Sequence, residues 1–175
     1  HYHTNFKLSK SGEQIGLFQG EQTESYTLIE EGSLWKYLDN GSGQAQEWTH
    51  IEFDDNSWSA GNAELGYGDG DEETVVSYGP DEDNKYITTY FRHTFNVNDP
   101  NDVQTLTIRL KRDDGAIIYL NGNEALRSNM PTETISYDTY ASSVVSGSDE
   151  DIFFEWTISE NEIKDGQNVV AVELH

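Results

Sequence analysis

Short runs of alternating apolar and polar residues, each closed by turn-forming residues, are the feature that most limits how this chain of 175 residues can fold. From Leu106 to Leu110, apolar residues occupy every second position and would share one face of a strand. The apolar run 116–120 is followed directly by Asn121-Gly122, a pair typical of two-residue hairpin turns. This combination indicates antiparallel strands that are joined by tight turns.

The same pattern recurs along most of the chain. Further strands are predicted over residues 34–38, 87–97, 151–158 and 168–174. Helical periodicity is confined to about one turn over residues 159–164, and Gly, Asn, Asp and Ser fill a long loop over residues 53–70. Many short strands without a long helix predict an all-β fold, an antiparallel β-sandwich of jelly-roll type.

Three segments follow from the spacing of these runs. Residues 1–20 are predicted to form a terminal hairpin, residues 21–31 a polar connection, and residues 32–175 the sandwich. An isolated hairpin is marginally stable in water. We therefore expect the apolar residues of the hairpin, such as Phe6 and Leu17, to pack on the sandwich or on a second copy of the chain.

The chain is strongly acidic, with 10 Lys and Arg residues against 33 Asp and Glu residues and a formal net charge of −23 at pH 7. Such a surface repels phosphate backbones and anionic lipids, so we expect neither nucleic acid nor a membrane as partner. The carboxylates are interpreted either as solvated surface or, where they cluster, as oxygen ligands for Ca²⁺. Because the sequence has no Cys, it can form neither disulfides nor thiolate metal sites.

Four motifs, in their order and spacing, resemble the galactose-binding-domain-like jelly roll of secreted bacterial multidomain proteins, a fold shared by carbohydrate-binding modules. They are TTYFR at 88–92, RDDGAIIYLNG at 112–122, NMP at 129–131 and NVVAVELH at 168–175. The resemblance covers residues 32–175, and residues 2–18 resemble the last hairpin of a lamin-tail domain. It implies a secreted, extracellular module with neighbouring domains in the same parent chain.

The sequence carries no catalytic motif, so we predict an accessory module rather than an enzyme. Its five His residues form no HExxH pair, and it lacks a GxSxG motif. The resemblance implies a non-catalytic carbohydrate-binding module that targets a polysaccharide-active protein to its polymer. A structural spacer without a glycan ligand is the alternative. A cryptic hydrolase is a third reading, but 33 acidic residues guarantee chance pairs of carboxylates, so their abundance is no evidence for it.

Aromatic residues in polar or loop segments are the predicted sugar-stacking residues. Sugars present flat C–H faces that pack on aromatic rings. Trp48, Tyr67 and Tyr86 lie in such segments and are predicted to expose their rings. The other tryptophans, Trp35, Trp58 and Trp156, are expected in the core.

Basic residues could add specificity for an anionic polymer. Arg92, Arg109 and Lys111 would form a short cationic row if their outward faces adjoin. This row predicts a sulfated or uronic polysaccharide, such as a marine galactan, as partner.

Two acidic clusters are the candidate Ca²⁺ sites. Asp69, Asp71 and Glu72 lie in a Gly-rich loop, which is either solvated or wraps a cation. Asp113 and Asp114 precede a strand and read either as capping residues of a tight turn or as metal ligands. The second reading follows from a resemblance to the Asp-Asp pair of anthrax-protective-antigen-type lectin domains, where Ca²⁺ ligates sugar hydroxyls.

Overall fold

Strands provide most of the regular structure in the computed structural model, which describes residues 16–17, 26–68, 70, 72–103, 105–145 and 152–175. The strands are β1 (Gly16–Leu17), β2 (Tyr26–Thr27), β3 (Leu34–Leu38), β4 (Ser59–Asn62), β5 (Leu65–Gly66), β6 (Thr74–Val75), β7 (Thr89–Val97), β8 (Leu106–Leu110), β9 (Ala116–Leu120), β10 (Asn123–Ser128), β11 (Phe154–Ile158) and β12 (Gly166–Leu174). Short 3-10 turns cover Gln46–Thr49, Pro100–Asp102 and Glu160–Glu162. The predicted antiparallel β-sandwich is confirmed.

The larger sheet has the strand order β10-β9-β12-β7-β3-β4, and all of its neighbouring strands are antiparallel. Strand β12 pairs with β7 along its whole length, from Gly166 opposite Val97 to Leu174 opposite Thr89. Every second residue from Val170 to Leu174 enters the core between the sheets. Strand β12 therefore lies inside this sheet, with partners on both edges.

The smaller sheet has the order β11-β8-β1-β2 and closes the core from the other side. Leu106, Ile108 and Leu110 of β8 are all buried there, which confirms that they share one face. On one edge β8 pairs with β11, and on the other Leu17 of β1 lies opposite Leu106. Strand β8 is thus flanked by partners from distant parts of the chain.

Most of the predicted N-terminal hairpin lies outside the described residues, so the segment limits at 20 and 31 stay predictions. Within the described part, β2 pairs with β1. Ile29 is buried in the core between the sheets. Apolar contacts to the sandwich therefore begin before residue 32.

A second core covers the outer face of the larger sheet. Trp48 and Trp58, from the loop after β3, and Met130, from the segment after β10, pack with Tyr90 and Tyr119 of the sheet. The middle of the larger sheet is consequently covered on both faces, which explains why all residues of β9 are buried, whereas the edge strand β4 stays largely exposed.

The turn between β9 and β10 is the hairpin that the sequence predicts. Asn121 and Gly122 have positive φ angles of 51° and 96°, and the two strands pair on either side of them. Asn and Gly tolerate this backbone conformation better than other residues do. The local sequence thus sets this connection.

Candidate functional site

Trp48 is part of the second core and is not an exposed stacking residue, so this expectation from the sequence is wrong. Its side chain is 3 % exposed. The 3-10 turn Gln46–Thr49 carries it onto the sheet, where its ring lies 4.9 Å from that of Tyr90 and 5.6 Å from that of Tyr119. Gln46 and Glu47 before it are exposed, whereas Thr49 after it is buried together with the indole.

Arg92 is also an internal residue, so the predicted basic row is wrong. Its side chain is 2 % exposed, and its Nε lies 2.8 Å from Oδ2 of Asp55. The guanidinium also donates to the carbonyls of Trp48 and His50 and lies over the ring of Phe53. Arg92 therefore fixes the loop after β3 to the larger sheet.

Arg109 belongs to the other sheet, on β8, and cannot adjoin Arg92. It pairs with Glu155 of β11 at 3.2 Å. Arg109 and Lys111 both lie over the ring of Phe153, at 5.4 and 5.0 Å from its centroid. Arg109 and Lys111 therefore do adjoin, as the sequence predicts. They lie on the smaller sheet, however, and Arg109 is already paired with Glu155.

Two adjoining depressions lie among the loops at one end of the sandwich, and we call them together the loop cleft. Their volumes are about 230 and 280 Å³. Residues 84–87 line both depressions. The remaining lining residues are Gly41, Tyr67, Pro80, Asp81, Asp83, Asp114, Tyr137, Tyr140, Ala141 and His175.

The structure brings two of the predicted stacking residues to this cleft. Tyr86 lines both depressions and is half-buried. Tyr67 lines one of them but is only 5 % exposed, because Tyr78 packs edge-on against it and the ammonium of Lys85 lies 4.8 Å from its ring centroid. The expectation that the Tyr67 ring is exposed is therefore wrong.

Tyr137 and Tyr140 are the exposed rings of the loop cleft, and neither was predicted from the sequence. Tyr140 is 63 % exposed and Tyr137 is 48 % exposed. They lie in a segment with neither strand period nor turn motif, so no pattern singles them out.

Two glycines after β3 seat the rings of the cleft. A Cβ on Gly41 would collide with the ring of Tyr86, and a Cβ on Gly43 would lie 2.6 Å from Cδ1 of Tyr137. Gly41 also has a φ of +71°, which glycine adopts without strain. The sequence Gly-Ser-Gly at 41–43 thus shapes one wall of the cleft.

A buried hydrogen-bond cluster fixes the tyrosine-bearing loop to the sheet. Thr88 Oγ1 donates to the carbonyl of Tyr137 at 2.6 Å. His175 Nδ1 lies 2.8 Å from the carbonyl of Thr139, which can only accept, so this nitrogen carries the proton and donates. Tyr137 and Tyr140 are therefore presented on an anchored backbone.

A carboxylate lies buried next to this cluster, within the second core. Tyr119 donates from its hydroxyl to Oε1 of Glu173 at 2.7 Å. Burial, together with the Glu173 charge, raises the pKa of Tyr90 to about 12 and also raises the pKa of Tyr119. Both phenols stay protonated at neutral pH, so Tyr119 remains a donor to Glu173.

The corner Asp113-Asp114-Gly115 is a bend that is hydrogen-bonded to two distant segments. Asp114 has a φ of 58°, its Oδ1 accepts from the backbone N–H of Val145 at 2.7 Å, and its carbonyl accepts from Asn129 at 2.9 Å. Asp113 is buried, and its Oδ2 has no hydrogen-bond partner. The Asp114 side chain thus caps a backbone N–H group of a segment 31 residues further along the chain, and not one of its own turn.

The other predicted Ca²⁺ ligands are only partly described. Asp69 and Asp71 lie outside the described residues, and Oε2 of Glu72 accepts from the N–H of Gly70 at 3.0 Å. No group of three or more His, Cys, Asp or Glu residues suited to a metal occurs among the residues that the structure describes. The prediction of Ca²⁺ stays a prediction.

Comparison with known proteins supports the fold. No protein-family model matches the chain, and no curated protein matches it. Among solved structures, a β-glucuronidase of glycoside hydrolase family 2 superposes with a TM-score of 0.55 at 15 % identity, over 94 % of this chain and 14 % of that one. A Bacteroides uniformis β-glucuronidase superposes with a TM-score of 0.51 at 16 % identity, over 84 % of this chain and 14 % of that one. An uncultured Clostridium sp. β-glucuronidase superposes with a TM-score of 0.50 at 15 % identity, over 97 % of this chain and 24 % of that one.

The chain thus spans a quarter or less of the length of these enzymes. At such low identity the likeness establishes a shared β-sandwich domain and not a shared activity. In the described part of the chain, no helix is long and apolar enough to cross a membrane.

Proposed function

We propose that this chain is a non-catalytic carbohydrate-binding module of a secreted, polysaccharide-active protein, and that polysaccharide binds in the loop cleft. The observation that carries the proposal is the pair of exposed rings, Tyr137 and Tyr140, on an anchored loop beside a cleft that is lined by both polar and apolar residues.

The chemistry of the cleft suits a sugar ring. Tyrosine rings can pack against the C–H face of a pyranose, and each such contact is worth about 1 kcal/mol. Asn84 supplies amide donors and acceptors for hydroxyl groups, and it lines both depressions next to Tyr86. Binding sites of this kind combine a few polar groups with apolar walls.

The structural neighbours give the proposal its context. They are named as β-glucuronidases, and the matching sandwich is a small part of each. By analogy, this chain would hold a linked catalytic domain close to its polymer and so raise the effective substrate concentration.

Affinity electrophoresis in gels that contain glucans, galactans or xylans tests the proposal. Tyr140→Ala should reduce retention by about fivefold, which corresponds to the loss of one stacked ring. Phe153→Ala is the matched control, because Phe153 directly precedes β11 and its ring does not line the loop cleft. Its retention should equal that of the parent.

Thermal melts of both variants show whether the fold is intact. Equal loss of retention in the two variants contradicts the assignment of the cleft. A folded parent that no polymer retains contradicts carbohydrate binding altogether, and the chain is then a structural spacer.

A further inference from the structure

We infer that the loop cleft selects uncharged glycans over uronic or sulfated ones. This inference rests on the proposed function, because it names the class of sugar that the same cleft takes. It departs from the sequence-based expectation of an anionic polymer.

The first observation is the charge of the cleft lining. Asp81 and Asp83 are exposed at the cleft, and Asp114 contributes a third carboxylate. The described lining contains one lysine, Lys85, and its ammonium lies over the rings of Tyr67 and Tyr78, at 4.8 and 5.4 Å from their centroids. Carboxylates therefore outnumber lysines where a glycan would bind.

The second observation is the location of the arginines. Arg92 is buried against Asp55, and Arg109 pairs with Glu155 on the smaller sheet. Neither lines the cleft. Guanidinium groups are the side chains best suited to bind carboxylate and sulfate, since they donate two parallel hydrogen bonds. The cleft lining as described lacks them.

For a neutral and an anionic polymer with the same backbone, electrostatic repulsion then determines which one binds more tightly. A uronate or sulfate bound in the cleft would lie within a Debye length, about 10 Å at 0.1 M salt, of the aspartates. The chain as a whole has a formal net charge of −23 at pH 7, so the residues outside the cleft add repulsion of the same sign. An uncharged hexose meets none of this repulsion and still gains the tyrosine contacts.

Matched neutral and anionic polymers test the inference by affinity electrophoresis at low salt. Hydroxyethyl cellulose is compared with carboxymethyl cellulose, and agarose with carrageenan. In each pair that binds, we expect the neutral polymer to retain the chain about tenfold more strongly than its anionic counterpart does. The difference should shrink at 0.5 M NaCl, because salt screens the charges.

Charge variants locate the effect. Asp83→Asn should raise the ratio of anionic to neutral retention about threefold, because one carboxylate of the cleft becomes neutral. Asp165→Asn removes an exposed carboxylate elsewhere and should leave the ratio unchanged.

The outcomes separate the two proposals. Equal or stronger retention by carrageenan or carboxymethyl cellulose overturns the selectivity and leaves carbohydrate binding in place. Retention by neutral polymers alone supports both. If no polymer retains the folded chain, the proposed function fails, and the selectivity fails with it.

Discussion

Arg92 and Arg109 both occupy predicted outward positions of strands, but they differ in burial and in the partners that they bind. Arg92 is buried and holds Asp55 and two backbone carbonyls, whereas Arg109 is partly exposed and pairs with the exposed Glu155. A buried ion pair that loses one partner leaves unpaired polar groups behind, but an exposed pair is weak because water solvates both charges.

Arg92→Met should therefore lower the free energy of unfolding by about 3 kcal/mol. Arg109→Met, the matched control, should lower it by less than about 1 kcal/mol. Urea denaturation of the three proteins measures both values. Equal losses would show that Arg92 does not anchor the loop after β3.

At the residue scale, sequence patterns predicted which side chains alternate but not which loops return to the sheet. Leu106, Ile108 and Leu110 were placed correctly because period two is a local property of a strand. Trp48 was misplaced because its burial depends on Tyr90 and Tyr119, more than 40 and 70 residues away in the sequence. No local pattern encodes such a contact.

At the scale of elements, the corner between β8 and β9 links the sheets to the loop cleft. Asp114 fixes the segment around Val145, and the unpartnered oxygen of Asp113 lies buried beside it. A buried carboxylate oxygen without a partner is costly unless a proton or a cation compensates it. Ca²⁺, which takes oxygen ligands from carboxylates and carbonyls, is the cation that the sequence predicts here.

We expect Ca²⁺ to raise the melting temperature of chelator-treated protein by several degrees, because a ligand of the native state stabilises it by about 2.7 kcal/mol at 100 times its Kd. Asp113→Asn should abolish the rise, and Asp165→Asn should keep it. An identical melt of the parent with Ca²⁺ and with chelator would mean that Asp113 is protonated or solvated rather than metal-bound.

At the scale of the whole molecule, the sandwich was predictable because strand period, turn chemistry and the lack of helical runs all favour it. The loop cleft was not, because it combines segments around residues 41, 84 and 140 that meet only in the folded chain. Sequence reasoning placed Tyr67 and Tyr86 in loops and could not show that they approach Tyr137 and Tyr140.

The N-terminal segment extends the smaller sheet and contributes to the core between the sheets, so its removal tests how the whole molecule is stabilised. Strand β1 pairs with β8, β2 pairs with β1, and Ile29 is buried between the sheets. A chain that starts at Glu30 loses all three contributions and leaves one edge of β8 unpaired. Unpaired strand edges bind to other chains, so both stability and oligomeric state should change.

We expect the truncated chain to unfold at a lower urea concentration than Ile29→Ala in the full chain, which itself should cost about 2–5 kcal/mol through the cavity left in the core. Light scattering on a sizing column should show dimers or larger species for the truncated chain and not for Ile29→Ala. If the truncated chain unfolds at the same urea concentration as Ile29→Ala and elutes like the parent, the two short strands contribute nothing beyond the Ile29 side chain. The smaller sheet would then be complete with β8 and β11 alone.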